Sequence, residues 1–304
     1  MCEVAIGSTN GWEVAAVSAP LFRAAPDAGA ADRGTTVRVA RAVSATAALA
    51  IAVCAIAGLL SPVYRDPDEI VALFRAYDAV ALAAAVLLLV VALFARSVHA
   101  VLLWAGMLAY AAYNYAYYLF GARLNALFGL YAAVVALSVT GLVALLLATD
   151  NRVIAARYRR RTPVRAVAVV LAVLAVSLGA MWLTRIAAAV SGQTPLSEPS
   201  KLVVPAAFTQ LGAAVDLAVL VPAYGAVAVA LWRGVAWAYP AATALLLAGV
   251  LHQVAYMVAL VVQASTGIAG ATAFDPLEPV IAGAFLAAAT VMLWHREKRS
   301  AAGE

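Results

Sequence analysis

The sequence is short of charge: only 12% of its 304 residues are Asp, Glu, Lys or Arg, whereas 66% are hydrophobic. That balance excludes a soluble globule, because too few polar groups exist to cover the apolar surface of a chain this size. Lysine is nearly missing, at 201 and 298 only, so arginine carries the basic side, and the Arg-, Ala- and Val-rich bias fits a GC-rich bacterial genome. The net charge of +5 follows membrane topology, so no nucleic-acid partner is expected. Two cysteines, Cys2 and Cys54, support neither a disulfide framework nor a cysteine metal site. No zinc signature, Walker loop, G-x-S-x-G elbow or dinucleotide fingerprint occurs. A metal site is therefore not expected, and catalytic residues and cofactors stay unassigned.

What the chain has instead is long apolar runs. About 20 residues cross the hydrocarbon layer, and eight windows qualify, at about 42–60, 72–95, 100–120, 125–148, 165–184, 206–231, 235–262 and 277–294. With both termini cytoplasmic, 15 of the 20 Lys and Arg residues fall inside and five (Arg65, Arg75, Arg123, Arg185 and Lys201) fall outside. The expected protein is all-α: a polytopic protein of the bacterial inner membrane with eight transmembrane helices and both ends in the cytoplasm. Residues 1–34 read as a mobile cytoplasmic tail, 35–150 as a first four-helix membrane repeat and 151–161 as a basic cytoplasmic linker. A second four-helix repeat covers 162–299, before a short tail at 300–304. Arg157, Arg159, Arg160 and Arg161 in the linker form a basic cluster that faces anionic lipid.

The repeat rests on an offset of 138, which lays Asp78 on Asp216, Asn114 on His252 and Tyr118 on Tyr256. An even number of spans per half keeps one orientation, so the halves would be related by an axis along the membrane normal.

Ionisable groups inside a membrane are costly and are the first place to look for function. Asp78 lies 18 residues before the Arg96 turn and Asn114 lies 18 after it. At 1.5 Å per residue both sit about 27 Å from the cytoplasmic face. Asp216, Arg233 and His252 repeat that geometry, so the expected pairs are Asp78 with Asn114 and Asp216 with His252. Tyr110, Tyr113, Asn114 and Tyr117 recur at i, i+3, i+4 and i+7, one helical face, which reads either as an interfacial belt or as the phenolic wall of a pocket. Tyr256 stands one turn beyond His252. His99 and His295 read as interfacial. Acidic residues Asp66, Asp68, Glu69, Glu198, Asp275 and Glu278 gather in the outer segments, and Pro222 and Pro240 kink or end their spans.

Eight spans in two four-helix halves with both ends inside resemble the outline of the haem A synthases. That family places a histidine pair in each half, whereas here only His252 lies deep in a span, so no functional residue is carried across. Three functions fit these residues. The first is an outward-opening polar pocket lined by Asp78, Tyr110, Tyr113, Asn114, Tyr117, Asp216, His252 and Tyr256, which binds or transports a small or lipidic molecule, proton-coupled through Asp216 and His252. The second is a structural or assembly subunit whose polar groups only join helices. The third is an outer-leaflet enzyme with His252 as base. The bilayer is the one partner the sequence names; protein partners are not readable.

Overall fold

The computed structural model describes residues 30–158 and 162–294, with side chains from residue 35. Among these residues the chain is helical with no strand. Its elements are α1 (Ala30–Leu60), α2 (Asp68–Phe94), α3 (Val98–Gly121), α4 (Phe128–Ala148) and the short α5 (Asn151–Ala156). Then come α6 (Val164–Val190), α7 (Ala206–Trp232), α8 (Ala238–Ser265) and α9 (Leu277–Leu293). Six of them are long and apolar enough to cross a membrane: Thr35–Leu60 within α1, and α2, α4, α6, α7 and α8. That is compatible with a multi-pass membrane protein. The 24-residue α3 is diluted by Asn114 and five tyrosines, and α9 has only 17 residues. Arg159, Arg160, Arg161, His295 and most of the N-terminal tail lie outside the described residues; Arg157 closes α5 as its C-terminal cap.

Local signals explain the helix ends. Pro67 precedes α2, with Asp68 and Glu69 in the first turn where acidic groups suit the helix dipole. The Ser97 hydroxyl accepts the Ala100 N–H at 3.2 Å to start α3, and Asp150 accepts Arg152 N–H at 2.9 Å to start α5. Pro240 lies in the first turn of α8, where its missing N–H breaks no bond. Pro222 sits deep in α7, and there Asp216–Leu220 forms a π-helical turn inside the helix.

Helices α1, α2, α3 and α4 pack in a ring, each against two of the others, and α6, α7, α8 and α9 do the same. One core cluster joins Ile51, Phe74, Leu88, Trp104 and Tyr131 across the first ring. Another joins Leu171, Tyr224, Leu246 and Phe285 across the second. The rings meet where α8 packs on α3 and α2 while the start of α7 touches α3. Close approach of α3 and α8 needs Gly106: a β-carbon there would stand 2.7 Å from Leu247 Cβ.

Candidate functional site

The five tyrosines of α3 follow one another within nine residues, so they cover most of the helix circumference, and Tyr118 and Tyr113 reach two separate carboxylates. The first is Asp78 on α2, which is fully buried. Tyr64 donates to its Oδ2 at 2.6 Å and Tyr118 to its Oδ1 at 3.0 Å, while Tyr118 also reaches the Phe74 carbonyl at 3.1 Å. Phe74, Tyr115 and Tyr131 complete an aromatic wall, with Tyr118 stacked on Phe74 at 4.6 Å and on Tyr115 at 4.9 Å. Tyr64 comes from the loop between α1 and α2; burial, then the neighbouring Asp78, push its phenol well above the ordinary tyrosine value, so it stays a donor. Gly58 of α1 makes room for the group, since a β-carbon there would lie 2.0 Å from Asp78 Oδ2.

The second carboxylate is Asp216, at the start of the π-helical turn. It accepts Tyr113 O–H on Oδ1 at 2.5 Å and Trp182 Nε1–H on Oδ2 at 2.8 Å. Tyr117 O–H then donates to Tyr113 at 3.0 Å, because the Tyr113 proton is committed to Asp216. His252 of α8 lies among four phenols. Its ring centre is 4.9 Å from Tyr113 and from Tyr256, and 6.1 Å from Tyr117 and Tyr77. Its Nδ1 is buried with no hydrogen-bond partner. Tyr256 O–H donates to Glu198 Oε1 at 3.1 Å, which ties the loop between α6 and α7 to the cluster. Burial drives the Glu198 carboxyl up to about 7, against the Tyr256 donation, and the nearby Asp216 charge adds to the rise.

Side chains hold that loop at further points. Arg185 donates to the Ser197 carbonyl at 3.2 Å and hydroxyl at 3.1 Å. The Gln263 amide both donates to the Val203 carbonyl at 2.8 Å and accepts its N–H at 3.0 Å. Lys201 N–H reaches Asp275 at 3.2 Å.

Both expected pairs are corrected. Asp78 does not meet Asn114, and Asp216 does not meet His252; each carboxylate is taken by neutral donors from other elements. Equal depth was argued from residue counts, but depth leaves the azimuth around each helix open. Asn114 is fully buried and neither of its amide atoms has a partner; the Tyr110 hydroxyl is likewise unpartnered. The tyrosine stripe is no interfacial belt, for Tyr110, Tyr117 and Tyr118 are core residues and Tyr113 is half-buried. Tyr113, Tyr117, Asp216, His252 and Tyr256 come together, whereas Asp78 belongs to the separate cage.

Four participants escaped the sequence reading: Tyr64, Tyr77, Trp182 and Glu198. Trp182 had a signal, since an indole N–H inside an apolar run needs an acceptor. Glu198 had been grouped only with the acidic loop residues. No family model, curated protein or solved structure matches this chain.

Proposed function

We propose that this chain is an eight-span protein of the bacterial inner membrane, made of two four-helix repeats with both ends cytoplasmic, whose second repeat exchanges protons with the outer face to bind and move a small molecule. The repeat is supported by the pair of four-helix rings and by the way they meet: α3 and α8, which occupy the same place in each half, pack on each other. Outward orientation is supported by the arginine bias between the two ends of the helices. Cysteines placed by Val63→Cys and Pro195→Cys label from outside, and one placed by Arg160→Cys does not; outside labelling of the last overturns the orientation.

The observation that carries the functional reading is the chain of polar groups from Glu198 through Tyr256, His252, Tyr117 and Tyr113 to Asp216. It runs from a loop carboxyl that titrates near neutrality to a carboxylate inside the helices, around an imidazole with an unpartnered nitrogen. Histidine is the side chain suited to take and return a proton near neutral pH. Phenols both donate and accept, so a small rotation of Tyr256 or Tyr117 that brings a hydroxyl onto the unpartnered His252 nitrogen would complete the path. An acid pulse given to the purified protein in weakly buffered detergent, read with a pH indicator, tests this. Wild type takes up about one proton per chain more than His252→Gln, with a smaller deficit in Asp216→Asn. Equal uptake in all three, with folding intact, leaves a structural membrane subunit as the better account. Asp78 favours that second reading for the first repeat, because both of its oxygens are engaged by tyrosine hydroxyls in a closed cage.

A further inference from the structure

We propose that residues 198–205, the inner part of the loop between α6 and α7, form a movable plug over one end of the seam between the two rings, and that its release admits water to the polar groups inside. The purpose of the device, joining the His252 cluster to the outer face, rests on the proton-exchange reading above.

The seam is where α8 packs on α3 and α2. His252, Tyr256 and Gln263 stand at i, i+4 and i+11 on α8, one stripe that runs for about 16 Å along the helix. At its deep end the His252 Nδ1 is buried without a partner. On α3, Tyr110 and Asn114 are one turn apart, and the Tyr110 hydroxyl and both Asn114 amide atoms are also buried and unpartnered. Tyr117 shares that face of α3, and its ring lies 6.1 Å from His252, as does the ring of Tyr77 from α2. Polar atoms left unpaired out of water raise the energy of the closed seam, and opening it returns hydrogen bonds to all of them. A seam meant to stay shut is better lined with apolar side chains.

What closes the end of this stripe is loop rather than helix. Residues 191–205 have no helix or strand of their own. Leu202 is the apolar tip of the plug, buried in the same core cluster as Phe74, Tyr77 and Leu260. Beside it, the fully buried Gln263 holds both backbone groups of Val203 and donates to the Glu69 carbonyl in the first turn of α2 at 3.0 Å. One amide therefore pins the plug to both rings. The Tyr256–Glu198 bond is the second pin, nearer to His252. Water can replace either pin. Slack is provided by residues 191–195, which are all exposed, with Gly192 at a φ of 72° that favours glycine. The matching connection in the first ring, residues 61–67, is short and sends Tyr64 into the Asp78 cage, so it has no such slack.

Opening is read by the rate at which a hydrophilic maleimide labels a seam thiol in the purified full-length protein at fixed pH. The thiol is placed by Asn114→Cys in protein carrying Cys2→Ser and Cys54→Ala. The native Cys54, buried in the first ring, is the control in protein carrying Cys2→Ser alone. Gln263→Leu, which removes the double pin, is expected to speed labelling of the seam thiol about tenfold or more, and Glu198→Ala severalfold. Cys54 labelling stays within about twofold in both. Should Gln263→Leu fail to fold, Glu198→Ala carries the test, since it alters only a loop side chain. A seam thiol whose rate ignores both pins, or a Cys54 that speeds up in step with it, overturns the plug. If labelling ignores the pins while the acid pulse still shows His252-dependent uptake, the plug falls and proton exchange stands. If labelling follows the pins without that uptake, the plug stands and proton exchange falls.

Discussion

Asp78 and Asp216 occupy corresponding places on α2 and α7, and each accepts two hydrogen bonds from uncharged donors, yet their surroundings differ. Asp78 is closed on all sides: a loop tyrosine caps it, a glycine makes room for it, and α2 runs through it as unbroken α-helix. Asp216 sits at the start of a π-helical turn, keeps 8% of its surface exposed, and connects through phenols to an imidazole and a loop carboxyl. A buried carboxylate in a closed cage with neither imidazole nor second carboxyl beside it can fasten helices together but has no partner with which to exchange a proton. One joined to titratable neighbours can change its protonation without dismantling the fold.

The sharpest way to break this comparison is the same truncation at both sites. Asp78→Ala leaves the Tyr64 hydroxyl unpaired in a closed space and Tyr118 with the Phe74 carbonyl alone, a loss of about 3 kcal/mol. Thermal unfolding in detergent should register it as a drop on the order of 10 °C. Asp216→Ala leaves the Trp182 N–H unpaired but keeps Tyr113 on Tyr117 at a site that is not sealed, so it is expected to lose less, while lowering acid-pulse proton uptake. Equal destabilisation at the two positions would erase the distinction.

Next in size are the single donors. Tyr64→Phe removes one hydrogen bond at nearly constant volume, costing about 1–2 kcal/mol in thermal unfolding, and Trp182→Phe removes one hydrogen bond together with part of a buried ring, costing more. Only Trp182→Phe should shift the titration of His252, since only it frees an oxygen of Asp216. A shift of similar size in Tyr64→Phe would show that the cages are coupled.

The smallest effect concerns the loop between α6 and α7. Burial raises the Glu198 carboxyl from its ordinary 4.5 to about 7, so the docked loop binds this proton more tightly than the free one. Docking is strongest below about 4.5, weakens as pH rises, and has lost this contribution above about 7. Amide protection factors across 194–204, corrected for the intrinsic pH dependence of exchange, should therefore be higher at pH 5 than at pH 8. Glu198→Gln should flatten that dependence.

Much of this architecture was legible from composition. Six of the eight apolar windows lie on helices long and apolar enough to cross a membrane, because a helix satisfies its own backbone in hydrocarbon. Partners were much less legible. Residue counts gave depth and made Asn114 and His252 look like mates of the two aspartates. The choice of mate depends on which face of each helix turns inward, and the π-helical turn at Asp216 alters that face within α7. Tyr64 and Glu198 come from loops, whose path an apolar pattern does not encode. Trp182 was hidden among the apolar residues of α6.

The central claim, that the Asp216 cluster exchanges a proton and the Asp78 cage does not, is tested most directly by nuclear magnetic resonance of ¹⁵N-histidine-labelled protein carrying His99→Gln and His295→Gln, so that His252 gives the only imidazole signals. The account predicts a reversible His252 titration whose midpoint falls in Asp216→Asn, which removes a stabilising negative charge, and stays in place in Asp78→Asn. A midpoint that is the same in every variant, or an imidazole that never titrates while the protein remains folded, would contradict it.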